Sequence, residues 1–349
     1  MRVLAYVYPG WHPLPERDES FYPGFTEWDL VAQSPPRFPG HHQPRVPLWG
    51  RYDDRDPVAV ARRVDACREH GIDGLVYGMF WCRGKRVFEH ALDDGFLTPD
   101  QTFPFALMWA NRMPRRVLPV RDTEAPVIED GRLVPSDVLD FVALMRVVGT
   151  YMQRANYLRV DGKAYFSIFD STFFVKELGR DAAREAIARA RAELAPIELH
   201  LAAIEPNDSI IGELRDLGFD SVTHYVLLPD WKGEFAQDYT ERAAISAAKW
   251  PSFAARSGLP YHPSVATGWD ASARGADFGP KHPRKYPWWP VVTGDHPHRF
   301  RDALRRACET GSELVFVASL NEWSEGHYLE PDERFGMGWF EAVRDARRP

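Results

Sequence analysis

At 349 residues, with 44% apolar and 27% charged positions, the chain has the makeup of a folded globular protein and excludes a disordered one. Its formal net charge of −7, with no run of lysine or arginine, argues against nucleic acid as a partner. The three cysteines, Cys67, Cys82 and Cys308, fit neither a disulfide framework nor a zinc site. No apolar run approaches a membrane span and no signal peptide is visible, so a cytoplasmic protein without membrane insertion is expected.

Short apolar runs alternate with amphipathic segments along the whole chain. The expected strands are 3–8, 73–80, 104–109, 164–169, 199–204, 219–225, 261–267 and 313–320. Their near-continuous apolar character suits parallel strands covered by helices. Asp56 caps an expected helix whose first residue is Pro57, with Val60, Val64 and Cys67 on one face. Ser136 is expected to start another, followed by Val138, Phe141, Val142 and Met145. Further helices are expected over 172–193, 238–257, 297–310 and 339–347. Eight alternations of β and α point to an α/β fold, a single (β/α)8 TIM barrel spanning 1–349 as one catalytic domain. An open doubly wound sheet is the structural alternative, but no Gly-rich loop follows the first strand. Two connections, 9–55 and 268–296, are longer than joining requires and are expected to shape an active-site cleft.

Barrel active sites lie at the carboxyl ends of the strands. In chain order those ends supply Tyr8, Trp11 and His12, then Trp81, then Trp109 and Asn111, then Asp170, then Glu205. His224 and Tyr225 follow the sixth strand, Trp269 and Asp270 the seventh, and Asn321, Glu322, Trp323 and Glu325 the eighth. This collection of aromatics, amides and carboxylates suits a polyhydroxylated substrate better than an acyl ester, and it contains no nucleophile elbow. The chain has 12 tryptophans, 13 tyrosines and 21 phenylalanines, and flat rings stack on the apolar faces of sugars. Most of these aromatics are nevertheless expected to be core.

Cleaving a glycosidic bond takes two carboxyl groups, and Glu322 with Glu325 is the candidate pair. On a straight strand residues three apart face opposite ways, so both reach one pocket only if the chain turns after Trp323, where Gly326 permits it. Convergence would raise one pKa and leave an acid and a base. By itself, Glu-x-x-Glu describes a solvated loop equally well. The pairs His41–His42 and His296–His298 lack the spacing of a helical zinc site, so no metal and no cofactor are expected.

The stretch Asn321-Glu322-Trp323-Ser324-Glu325-Gly326, running on to Leu329-Glu330-Pro331-Asp332, resembles the C-terminal signature of the WbsX-like proteins, a group related to glycoside hydrolase family 99. Tyr8-Pro9-Gly10-Trp11-His12-Pro13, Gly24-Phe25-Thr26-Glu27-Trp28 and Phe38-Pro39-Gly40-His41-His42-Gln43-Pro44-Arg45 agree with it as well. So do Gly71-Ile72-Asp73-Gly74, Gly84-Lys85-Arg86, Val160-Asp161-Gly162-Lys163 and Thr267-Gly268-Trp269-Asp270. These stretches add Glu27, Trp28 and His41 to the expected substrate contacts.

The resemblance implies a (β/α)8 barrel that cleaves α-mannosidic bonds with retention. It implies Glu322 as the group that deprotonates the sugar's own 2-hydroxyl, and Glu325 as acid/base. A glycosyltransferase of surface-polysaccharide assembly and a catalytically silent carbohydrate-binding barrel are the alternatives. Family members tend to carry Trp-Ala-Asn-Glu after the third strand, where this chain reads Trp109-Ala110-Asn111-Arg112-Met113, a change that would suit an anionic sugar. The sugar, the linkage, endo or exo action and the oligomeric state are not legible.

Overall fold

The computed structural model describes residues 1–82, 84–112, 137–278 and 283–348. Eight parallel strands form the barrel: Arg2–Val7, Gly74–Cys82, Phe105–Trp109, Lys163–Ile168, Leu199–Ile204, Ser221–Thr223, Ser264–Ala266 and Leu314–Ala318. They follow one another around the ring in chain order, and the eighth pairs with the first through Arg2↔Leu314 to Ala5↔Val317. The sixth and seventh meet through a single parallel bridge, Val222↔Tyr261, made by Val222 N to Pro260 O and His262 N to Val222 O, both 2.9 Å. The fold is therefore a (β/α)8 barrel.

Both faces of the strands are covered, which is why they read as unbroken apolar runs. Every residue of Phe105–Trp109 and of Leu314–Ala318 is buried. Inside the ring Tyr6 stacks on Phe316 at 5.2 Å between centroids, Tyr165 lies 6.0 Å from Phe316, and His200 stacks on Tyr165. Each aliphatic or phenyl side chain taken wholly out of water contributes about 1.5–3 kcal/mol. Among the described residues no helix is long and apolar enough to cross a membrane.

Most expected helices form with shifted ends. Asp56 caps Pro57–Glu69 by accepting from Val58 N at 2.9 Å. The helix expected from Ser136 is Val138–Met152, and its cap is Asp137, whose carboxylate accepts from Asp140 N; Ser136 itself lies outside the described residues. The single helix expected over 172–193 is two, Ser171–Leu178 and Arg180–Leu194, broken where Gly179 adopts φ 82°.

The long connections carry structure of their own. Helices Pro15–Asp18 and Glu27–Gln33 lie within 9–55. Within 268–296 the chain forms the 3-10 segment Ala271–Phe278 and the strand Val291–Thr293, which pairs with Ala236–Asp238. These two excursions meet each other over the barrel mouth, and that contact builds the site.

Candidate active site

After the eighth strand, Asn321–Glu322 pairs antiparallel with His327–Tyr328. Between them Trp323–Glu325 forms a 3-10 turn that ends at Gly326, with φ 70°. A Cβ at Gly326 would stand 2.9 Å from the backbone N and O of Asp270, so the residue supplies both the left-handed turn and the close approach. Asp270 N donates to Glu325 O at 2.8 Å across that contact. The reversal turns both carboxylates into one cavity of about 680 Å³, which Glu322 and Glu325 line together.

A buried arginine joins them. Arg274, on the 3-10 segment after the seventh strand, donates from Nη2 to Glu322 Oε1 at 2.7 Å, from Nη1 to Glu325 Oε1, and from Nε to Glu27 Oε2 at 3.1 Å. Glu27 comes from the helix Glu27–Gln33 and has no solvent exposure. It also accepts from Arg17 Nη2 at 2.5 Å, Ser324 Oγ at 2.5 Å and Tyr8 Oη. Tyr225 Oη donates to Glu322 Oε2 at 3.0 Å, and Tyr286 Oη donates to Glu325 Oε1 at 2.8 Å. His327 Nε2 lies 3.4 Å from Glu325 Oε2.

The cluster holds two guanidinium groups, Arg17 and Arg274, and three carboxyl groups, Glu27, Glu322 and Glu325. Neutrality in a dry interior therefore calls for one proton on a carboxylate. Burial, helped by the charges of Glu325 and Glu27 and opposed by Arg274, pushes Glu322 up to about 8. At Glu325 burial also favours the neutral form, but Arg274, His327 and Tyr286 outweigh it and hold that carboxyl at about 2. Glu27 is likewise held low, with Arg274 and Arg17 overcoming its burial. Of the three, Glu322 has the fewest donors around it and is the one whose neutral form is favoured.

Of the residues expected to contact substrate, Tyr8, Glu205, Tyr225 and Trp269 line the cavity with the glutamate pair. The others are in its supporting structure, not on its wall. Trp11 Nε1 donates to Asn321 O at 3.0 Å, and Asn321 clamps the Tyr8 backbone, its Oδ1 accepting from Tyr8 N and its Nδ2 donating to Tyr8 O, both at 2.9 Å. Glu27 is the inner anchor of Arg274, and Trp28 donates to Tyr52 O. Trp323 stacks on Tyr328 and donates to Glu330. His41 Nε2 lies 2.9 Å from Asp270 Oδ2, and Asp270 is wholly engaged in holding His41, Gln43 and Ser272.

Trp81 donates to Asp140, Trp109 packs outward on Phe141 and Phe174, and Asn111 bonds the backbone of Asp170. His224 is buried against Phe253 and Tyr261, and burial takes its pKa down to about 3. His12 and Asp54 form a 2.6 Å pair. With Asp53 they are the one group of metal-ligand spacing among the described residues. Asp53 is held by Arg55, and none of the three lines the cavity.

Arg17, Arg274, Tyr286 and His327 are the members of this cluster that sequence reasoning missed, and Arg274 is the one that joins the carboxylates. The available signal was a lone arginine among small residues, Ala271-Ser272-Ala273-Arg274-Gly275, in a loop already marked as too long. Arg112 lines the cavity, paired through Nη1 with Asp170 Oδ2 at 2.6 Å; Met113 lies outside the described residues.

A family model described as "Glycosyltransferase WbsX" matches residues 3–343. The protein WxcX of Xanthomonas campestris pv. campestris, described as uncharacterized, is 28% identical over 370 residues, which cover 99% of this chain and 49% of WxcX. The chain thus spans about half the length of the curated relatives it matches. Among solved structures, a "Glycoside hydrolase-like protein" superposes with a TM-score of 0.66 at 13% identity, covering 100% of this chain and 94% of the other. A GH99 endo-alpha-mannosidase from Bacteroides thetaiotaomicron, in complex with bis-tris-propane, gives 0.63 at 15% identity, covering 99% and 95%. At such identities the likeness is one of fold.

Proposed function

The chain belongs to the WbsX family, and on that premise we propose that its cavity processes α-linked, mannoside-like glycosidic bonds, with Glu322 and Glu325 as the reacting pair. One observation carries this reading: two carboxyl groups line a single cavity at the end of the eighth strand and share the Arg274 guanidinium. Hydrolysis is the reaction that such a pair suits. One carboxylate takes the proton of the sugar's 2-hydroxyl as that oxygen closes on the anomeric carbon. The bond to the leaving oxygen breaks, and the other carboxyl protonates that oxygen. Water then opens the anhydro sugar, the second group accepting a proton from the water as the 2-oxygen recovers its own.

The raised Glu322 and lowered Glu325 favour Glu322 as the donor and Glu325 as the acceptor, the reverse of the roles that the family resemblance implies. Leaving-group dependence separates the two orders. If Glu322 is the acid, Glu322→Gln loses turnover on an unactivated α-linked oligosaccharide but keeps it on an aryl glycoside whose phenolate needs no proton. The same pattern in Glu325→Gln would restore the other order. Undiminished turnover of the oligosaccharide by both variants would remove the pair from catalysis.

A transferase is the second reading, favoured by the family's own description. Product analysis with α-linked oligosaccharides, with and without nucleotide-sugar donors, separates the two. Shortened products without a donor support hydrolysis, and products that lengthen only with a donor support transfer.

A further inference from the structure

Strands that follow one another around an eight-membered ring place the fourth across from the eighth. The glutamate pair lies just past the eighth strand, so the facing wall of the cavity comes from the ends of the third, fourth and fifth. The residues there are Arg112, Asp170, Thr172, Glu205 and Asn207. Hydrogen bonding ties this wall together separately from the Arg274 cluster. Arg112 is committed to Asp170 and lies over the Phe173 ring at 5.8 Å. Glu205 forms no ion pair with any of the described residues. Its carboxylate accepts from Tyr225 N at 3.0 Å and from the Val226 backbone, and burial still pushes its carboxyl up to about 7.

The Glu205 backbone is held on both sides, Thr172 Oγ1 donating to its O at 3.2 Å and its N donating to Thr223 O at 3.3 Å. It sits at φ 53°, a region that glutamate seldom occupies. A carboxylate fixed at a barrel mouth, lining a cavity and, among the described residues, meeting backbone donors but no side-chain donor, gains from a ligand that supplies one. At the rim Trp231 is 52% exposed and meets Trp269 edge-on at 5.1 Å, which leaves an indole face for the apolar side of a sugar ring.

Resting on the glycoside reading above, we infer that this facing wall is a second sugar subsite and that Glu205 makes it select rings bearing hydroxyl or protonated amine groups over rings bearing a carboxylate. An arginine beside the site suggests an anionic sugar, but its charge is already matched by Asp170. Once Glu205 is ionised, above about pH 7, the wall's remaining charge is negative, so a uronic acid placed there meets repulsion. An amine or hydroxyl donor instead completes the hydrogen bonding of Glu205.

The test is calorimetric binding, at about pH 7.5 where Glu205 is mostly ionised, of three α-mannosyl disaccharides whose second ring is glucose, glucosamine or glucuronic acid. The Glu322→Gln enzyme is used so that nothing turns over, with Glu325→Gln as a second background should the first fail to fold. The glucosamine compound should bind tightest and the glucuronic acid compound about tenfold or more weaker than the glucose one. Adding Glu205→Gln should bring the three within about threefold of one another, chiefly by tightening the acidic one and weakening the amino one. Preference for glucuronic acid, or an equal loss for all three on Glu205→Gln, would overturn the subsite and leave the glutamate pair untouched. Failure of all three to bind also overturns it, and the donor-free hydrolysis assay then decides separately whether the glycoside reading survives.

Discussion

Replacing Arg274 with methionine keeps most of the side chain's length and removes the one charge that Glu27, Glu322 and Glu325 share. Removing one partner of a buried ion pair costs about 3–5 kcal/mol, because the other charge stays buried. The cluster then retains one guanidinium against three carboxyl groups, so its cheapest repair is to bind a further proton. In the parent, Glu27 and Glu325 lie below the ordinary glutamate value and contribute stability that is present above it and lost as pH falls.

In the variant at least one of these groups rises above that value, so the folded state holds a proton that the unfolded chain has released. Stability then declines as pH rises, by about 1.4 kcal/mol per pH unit for each such proton. Between pH 5 and pH 8 one proton is therefore worth about 4 kcal/mol, comparable to the whole deficit. Urea unfolding followed by tryptophan fluorescence should show the variant about 3–5 kcal/mol less stable than the parent at pH 8 and within about 1 kcal/mol of it at pH 5. An equal deficit at both pH values would refute the idea that these charges share one proton account.

The pH profile of kcat/KM gives a second check. On the proposed assignment activity needs the proton on Glu322 and the charge on Glu325, so it should be level through neutral pH and fall near pH 8, where Glu322 ionises. Tyr225→Phe removes a donor that favours the ionised Glu322, so its alkaline limb should move to higher pH; an unchanged or lowered limb would count against this wiring. Gly326→Ala forces a side chain into a left-handed turn against the Asp270 backbone. About 1–3 kcal/mol of destabilisation should appear in urea unfolding, together with loss of disaccharide binding.

The strands were legible because both of their faces are buried and their apolar runs are long. The exceptions are the sixth and seventh, expected over 219–225 and 261–267 but reduced to Ser221–Thr223 and Ser264–Ala266, because they pair with each other through one bridge only. Gly179 was read through because the helical apolar period continues on both sides of it, and one glycine costs a helix only about 1 kcal/mol. The convergence of Glu322 and Glu325 could be stated as a condition on one turn, and Gly326 meets it. Arg274 could not be read in the same way. A fully buried arginine is rare, and its position depends on carboxylates from two other segments that only the tertiary fold brings to it. His12, His41 and Asp270 were visible as polar residues in distinctive stretches, but sequence does not tell a side chain that meets a ligand from one that braces a loop.

Tyr8 leaves the first strand and Asn321 leaves the last, and the Asn321 amide closes on the Tyr8 backbone from both ends. The glutamate pair therefore stands where the first strand of the chain meets the last. Glu27 lies early in the chain beside its counter-charge Arg17, while Arg274 lies late and reaches Glu27, Glu322 and Glu325 only through the tertiary fold. A barrel with seven strands in place would hold Glu27 with Arg17 but would have no reacting pair. Ligand binding therefore reports that the two ends of the chain have come together, because neither end alone carries the whole cluster.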